Sequence, residues 1–229
     1  ACASSAYAMA YAYGMIASGS ADIVITGGTD STLCPEEIRG FNEILALSTR
    51  NSSPETACRP FTLSRDGFVM GEGAGVLIFE SEEHARKRGA RVYAEMAGYA
   101  LTSEAYNIVA PKPDGEGMAK TMADALRHAG VTANDIQYVN AHGTSTPLND
   151  KYETLAIKKV FREHAKRIAV SSTKSMIGHT TAPRNQEPAD CRTGGKWPFC
   201  FSQAITRASC WMDCSSARGW GSRTHNVVI

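Results

Sequence analysis

Up to Ala182 the chain alternates short apolar runs with longer stretches of mixed polarity. Tyr7–Ser18, rich in Ala, Met and Tyr, reads as a buried helix. Asp22–Thr26 is a short apolar run closed by Gly27 and Gly28, the pattern of a buried strand and a turn. Pro35–Leu47 opens on Pro-Glu-Glu, as helix starts prefer. Val69–Glu80 reads as a glycine-containing strand, Ser81–Arg88 as a short charged helix and Val92–Ala100 as a strand. Gly115–Ala129 has the spacing of an amphipathic helix. Ile136–Asn140 is expected to be a strand running into a loop, Tyr152–His164 a helix and Ile168–Ser171 a strand. Such alternation predicts α/β layers around buried sheets.

From Pro183 the pattern fails. Residues 183–229 hold four of the seven Cys and all three Trp, with Arg, Pro and Ser scattered among them. No periodicity there predicts a regular element, except that His225–Ile229 reads as a strand. The chain thus divides into 1–182 and an atypical tail, 183–229.

Composition narrows the function classes. With 229 residues, 43% of them hydrophobic, the chain can build a sizeable core. A net charge of +1, with acids and bases mixed, calls for neither nucleic acid nor an anionic membrane as partner. No apolar stretch approaches bilayer-spanning length. The cysteine count is odd and contains no Cys-x-x-Cys pair, so a reducing cytoplasm is the expected compartment. The chain starts at Ala1 without an initiator Met or a basic leader, and is expected to be a fragment.

Three segments carry candidate chemistry. Cys2 lies in Ala-Cys-Ala-Ser-Ser-Ala, directly before the first predicted helix. The positive end of a helix dipole favours a thiolate, the nucleophilic form. A structural cysteine is the competing reading. His142 follows a predicted strand in Asn-Ala-His-Gly-Thr-Ser-Thr-Pro, a loop able to present an imidazole and hydroxyls to a ligand. A histidine satisfied inside the turn is the alternative. Ser171–His179 again ends a strand in a polar turn, with Lys174 and His179. Taken alone, Lys174 reads as a surface lysine.

Together the three segments resemble the Cys-His-His set of the elongating β-ketoacyl synthases, within the thiolase-like superfamily. The run Arg65–Gly73 and the intervening elements match as well, over nearly all of 1–182. Priming ketosynthases and plant-type polyketide synthases carry Cys-His-Asn, and thiolases a second Cys, so His179 favours an elongating enzyme. The resemblance implies a layered α/β/α/β/α fold, incomplete here. It implies decarboxylative condensation of an acyl thioester, held on Cys2, with malonyl-[acyl carrier protein]. His142 and His179 would stabilise the enolate, with Lys174 adding positive potential nearby. Thr144 and Thr146 match positions that touch the pantetheine arm. No metal or organic cofactor is implied. The implied partners are acyl carrier protein and, for the full-length protein, a second copy, with Asp22–Thr26 near the shared surface.

Other readings are a polyketide ketosynthase, an inert fragment or non-catalytic relative, and a cysteine hydrolase. Two departures stand out. Nine residues after His179 the family places a Glu that pairs with the Lys, but Pro188 stands here and Glu187 is one position off. The family's late Gly-Phe-Gly-Gly loop is met only by Gly219–Ser222, Gly-Trp-Gly-Ser. Pro183 and Pro188 would also disturb the helix expected there. A reading-frame change after about Ala182, restored near the end, is one explanation of these departures, which reading the coding DNA in the other two frames would test.

Overall fold

A computed structural model describes residues 2–181 and 226–229, together with the backbone of 197–201 and 204–208. Pro183, Glu187, Pro188, Gly219–Ser222 and His225 lie outside the described residues.

Helices α1 (Ser4–Ala17), α2 (Pro35–Glu43), α3 (Glu82–Lys87), α4 (Glu116–Ala129), α5 (Pro147–Phe161) and α6 (Lys174–Ile177) alternate with strands β1 (Ile23–Asp30), β2 (Gly73–Ser81), β3 (Ala94–Tyr99), β4 (Tyr138–Asn140) and β5 (Ala169–Ser171). Strands β6 (Trp197–Phe201), β7 (Ala204–Ala208) and β8 (Val227–Val228) follow. The eight strands form one sheet in the order β1-β2-β8-β3-β7-β6-β4-β5.

Several expectations are corrected. Gly27 and Gly28 do not turn; β1 continues through them and pairs with β2 as far as Asp30 opposite Gly73. Gly27 has φ +146°, and a Cβ on it would meet the Gly75 carbonyl oxygen at 2.0 Å, so the strands pass too closely there for any side chain. Nor is β1 a buried strand: it forms the sheet's edge, and Ile25 is 72% exposed. Helix α2 stops at Glu43, short of Leu47. Helix α5 starts at Pro147 rather than Tyr152, because proline with its fixed φ suits the first helical position. The tail contributes two unforeseen strands: β6 lies parallel to β4, and β7 antiparallel to β3 and β6. A five-residue strand is too short to declare itself by period, and the proline in Trp-Pro-Phe-Cys-Phe argues locally against one.

Two cores hold the layers. Ala6, Met9, Ala12, Tyr13 and Ile16 of α1 pack with Phe79, Met96 and Val227 of three strands. Met122, Ala125 and Leu126 of α4 pack with Val139, Ala156, Ile157 and Phe161. The last strand is fixed from the side: Asn226 Nδ2 donates to Glu82 Oε2 at 2.7 Å, and Val228 pairs with Glu80.

Glu80 is buried and accepts from Arg88 Nε at 2.7 Å and Nη2 at 2.6 Å, with His84 Nδ1 alongside. The Arg88 hydrogen bonds hold its carboxyl down from the ordinary 4.5 to about 2, against the opposing effect of burial. A lowered carboxyl pKa stabilises the fold above the unfolded value and loses that contribution as pH falls through the folded one. Stability is therefore expected to drop as pH falls from 4.5 towards about 2. Solvent reaching the exposed Arg88 and half-buried His84 screens the interaction, so the loss is on the order of 1 kcal/mol. Thermal melts of Glu80→Gln should lack this acid limb; an unchanged limb contradicts the assignment.

Candidate active site

Parallel pairing brings two loops together. β4 and β5 lie side by side, Asn140 opposite Ser171, so their C-terminal ends open on the same edge. His142 leaves the first strand and the Lys174–His179 turn leaves the second. The main chain binds them at once, Ala141 N–H donating to Ser171 O at 2.8 Å. Ser172 Oγ then donates to Gly143 O at 2.7 Å.

Cys2 arrives from elsewhere in the sequence. It sits one residue before Ala3, the N-cap of α1, where the helix dipole is positive. Its Sγ lies 3.2 Å from His179 Nε2. The His142 and His179 rings meet edge to face, with centroids 5.5 Å apart. The structure thus unites Cys2, His142 and His179.

His179 is held on every side. Its N–H donates to Val69 O at 2.7 Å, and Gly71 N–H donates to its carbonyl at 3.0 Å. Phe68 packs its ring edge to face at 5.1 Å. So Val69–Gly71 is not the start of β2, as the sequence predicts, but a bracket for the histidine. His179 Nδ1 is 3.2 Å from Thr180 O. A carbonyl only accepts, which puts the proton of the neutral ring on Nδ1. Nε2 then accepts from the Cys2 thiol and becomes an N–H donor once it holds the thiol proton. Asp30, at the end of β1, fixes the next residue by accepting from Thr181 N–H at 2.5 Å and from its hydroxyl.

His142 depends on a residue that sequence reasoning missed. Glu153 on α5 is 1% exposed. Its carboxylate accepts the N–H of His142 at 2.6 Å and of Gly143 at 2.7 Å. Burial pushes this carboxyl above its usual range, opposed by the two backbone N–H groups and by Lys174. The only signal in the sequence was an acid on a helix following the His loop, which most solvated helices also show.

Lys174 is buried, at 6% exposure, so its reading as a surface lysine fails. Its charge acts on Glu153 and on Cys58. Cys58 Sγ–H donates to Lys174 O at 2.9 Å, and burial raises that thiol's pKa. Thr144 is buried and Thr146 half-buried, their hydroxyl oxygens 2.9 Å apart.

The sequence profile of the β-ketoacyl synthase N-terminal domain matches residues 1–85, and that of the β-ketoacyl synthase C-terminal domain matches 93–184. The chain belongs to the β-ketoacyl synthase family. It is 52% identical over 179 residues to 3-oxoacyl-[acyl-carrier-protein] synthase 2 of Staphylococcus aureus, covering 78% of this chain and 44% of the relative. The enzyme of the same name from Rhizobium meliloti is 51% identical over 180 residues, covering 78% and 42%. The chain therefore spans less than half the length of those relatives.

Solved structures agree on the thiolase-like fold. A β-ketoacyl synthase from Burkholderia phymatum superposes with a TM-score of 0.74 at 41% identity, over 79% of this chain and 43% of that one. A type II PKS ketosynthase, bound to a hexaketide and in complex with its acyl-carrier protein, superposes with a TM-score of 0.86 at 34% identity, over 91% and 62%.

Proposed function

We propose that residues 1–182 form the later, active-site-bearing part of a 3-oxoacyl-[acyl-carrier-protein] synthase of fatty acid elongation, and that 183–229 depart from that pattern. The observation that carries this is Cys2 Sγ at 3.2 Å from His179 Nε2, with the His142 ring beside both. The greater identity to fatty-acid-type relatives than to the polyketide ketosynthase favours fatty acid over polyketide substrates.

In this reading His179 takes the thiol proton, and the Cys2 thiolate attacks an acyl thioester. The S–acyl bond forms, and the departing carrier thiolate takes its proton from water, so His179 keeps the thiol proton on Nε2 as an N–H donor. Malonyl-carrier thioester then loses carbon dioxide. The electron pair of the broken bond becomes an enolate, whose oxygen accepts from histidine N–H groups. The enolate carbon attacks the Cys2 acyl group, and the 3-oxoacyl product leaves as the Cys2 thiolate reforms. Lys174 adds positive potential behind the histidines, and Thr144 and Thr146 face the pantetheine arm. The reaction needs no resident cofactor or metal. Acyl carrier protein delivers both substrates in the cytoplasm.

The full-length synthase is a homodimer in this proposal. The apolar face of β1 and β2, where Ile25, Val76 and Ile78 stand exposed beside Tyr11, would then be covered in the longer protein. Among the described residues no helix is long and apolar enough to cross a membrane.

The test is acylation. A full-length synthase carrying these residues, mixed with acyl-carrier thioester and digested, should show the acyl mass on the Cys2 peptide and not on those of Cys34 or Cys58. Acyl mass on another cysteine, or on none, rejects the reading.

A further inference from the structure

We propose that Cys2, His142 and His179 also form a binding site for a borderline-soft divalent cation, zinc above all, and that metal held there blocks acylation. The site itself rests on the donor set; only the block on acylation rests on the synthase reading.

Among the described residues this is the one group of three or more metal-type side chains whose ligand atoms converge, all within 4.8 Å of one another. Zinc takes thiolate sulfur at about 2.3 Å and imidazole nitrogen at about 2.0 Å in tetrahedral geometry, which places neighbouring ligand atoms roughly 3.3–3.5 Å apart. The Cys2–His179 edge, at 3.2 Å, is within about 0.3 Å of that length. No pair in the trio is wider than 4.8 Å, so closing the rest takes at most about 1.5 Å, within reach of a side-chain rotation at half-buried His142.

A second observation concerns ring orientation. Histidines that bind metal nearly always give the other ring N–H to a carbonyl or carboxylate, which fixes the tautomer. His179 has that arrangement, with Nδ1 on Thr180 O at 3.2 Å and Nε2 aimed at Cys2. Binding would expel the thiol proton and form a sulfur–metal bond. Three protein ligands leave a fourth position for water. The sulfur lone pair and Nε2 are the atoms acyl transfer uses, so metal and acyl group exclude each other.

Brief iodoacetamide treatment with peptide-level mass spectrometry tests this on the full chain. Micromolar zinc should slow labelling of Cys2 by about tenfold or more, leave Cys34 and Cys58 unchanged, and be reversed by a chelator. His142→Ala and His179→Ala should each lose that protection by about tenfold or more, as ligand removal costs at least what loss of an outer partner does. Cobalt(II) should give a near-ultraviolet sulfur-to-metal band that Cys2→Ser lacks. Equal protection of all three cysteines, no protection of Cys2, or protection surviving in both histidine variants overturns the proposal. Because labelling of the unsubstituted chain needs no variant, a misfolded variant does not remove the test. Failure here leaves Cys2 acylation untouched as the test of the synthase reading.

Discussion

In a full-length synthase carrying these residues, Cys2→Ala is expected to abolish acyl transfer and condensation while malonyl decarboxylation continues. The thiol supplies the bond to the acyl chain, whereas the enolate oxygen is met by the histidines. His142→Ala should leave some acylation of Cys2 and cut decarboxylation by about 10²–10³, the usual cost of one oxyanion donor. His179→Ala should do the same and also slow acylation, because its Nε2 is the group within 3.2 Å of the thiol. Carbon dioxide release from malonyl carrier protein, measured beside acyl-enzyme mass, separates the roles. Loss of decarboxylation in Cys2→Ala, with both histidine variants retaining it, would falsify the assignment. Thioester hydrolysis by every variant would put the hydrolase reading in its place.

Glu153→Ala is expected to destabilise the fold by about 3 kcal/mol. It removes a buried acceptor from two main-chain N–H groups at once, and an unsatisfied buried donor costs roughly 1–3 kcal/mol. The same change frees the His142 loop, so decarboxylation should fall although Glu153 touches no substrate. Glu153→Gln keeps one acceptor oxygen and should cost about 1 kcal/mol. Urea unfolding gives the energies, and hydrogen exchange at the His142 and Gly143 amides gives the local effect. An unchanged unfolding midpoint, with both amides still protected in Glu153→Ala, would show that the carboxylate does not hold the loop.

Most elements were legible because their causes are local. The apolar spacing of Glu116–Ala129 and the Ser81 cap before α3 act within a few residues. Errors fell where the cause was distant. Strand β1 runs through two glycines because Gly75 lies opposite, which nothing in Asp22–Asp30 encodes by itself. Val69–Gly71 resembles the start of a strand by composition, yet its polar groups are spent on His179.

The sequence by itself determined the α/β class, the family resemblance over 1–182, and Cys2, His142, Lys174 and His179 as the residues to watch. Motifs and helical periods survive in any local window, so they need no fold to be read. Only the tertiary structure decided that Cys2 and His179, 177 positions apart, stand 3.2 Å from each other. It also decided that Lys174 is buried and that Glu153 anchors the His142 loop. Burial and hydrogen-bond partnership arise between segments remote in the chain. A glutamate on a solvated helix and one holding the His142 loop look alike until those segments meet.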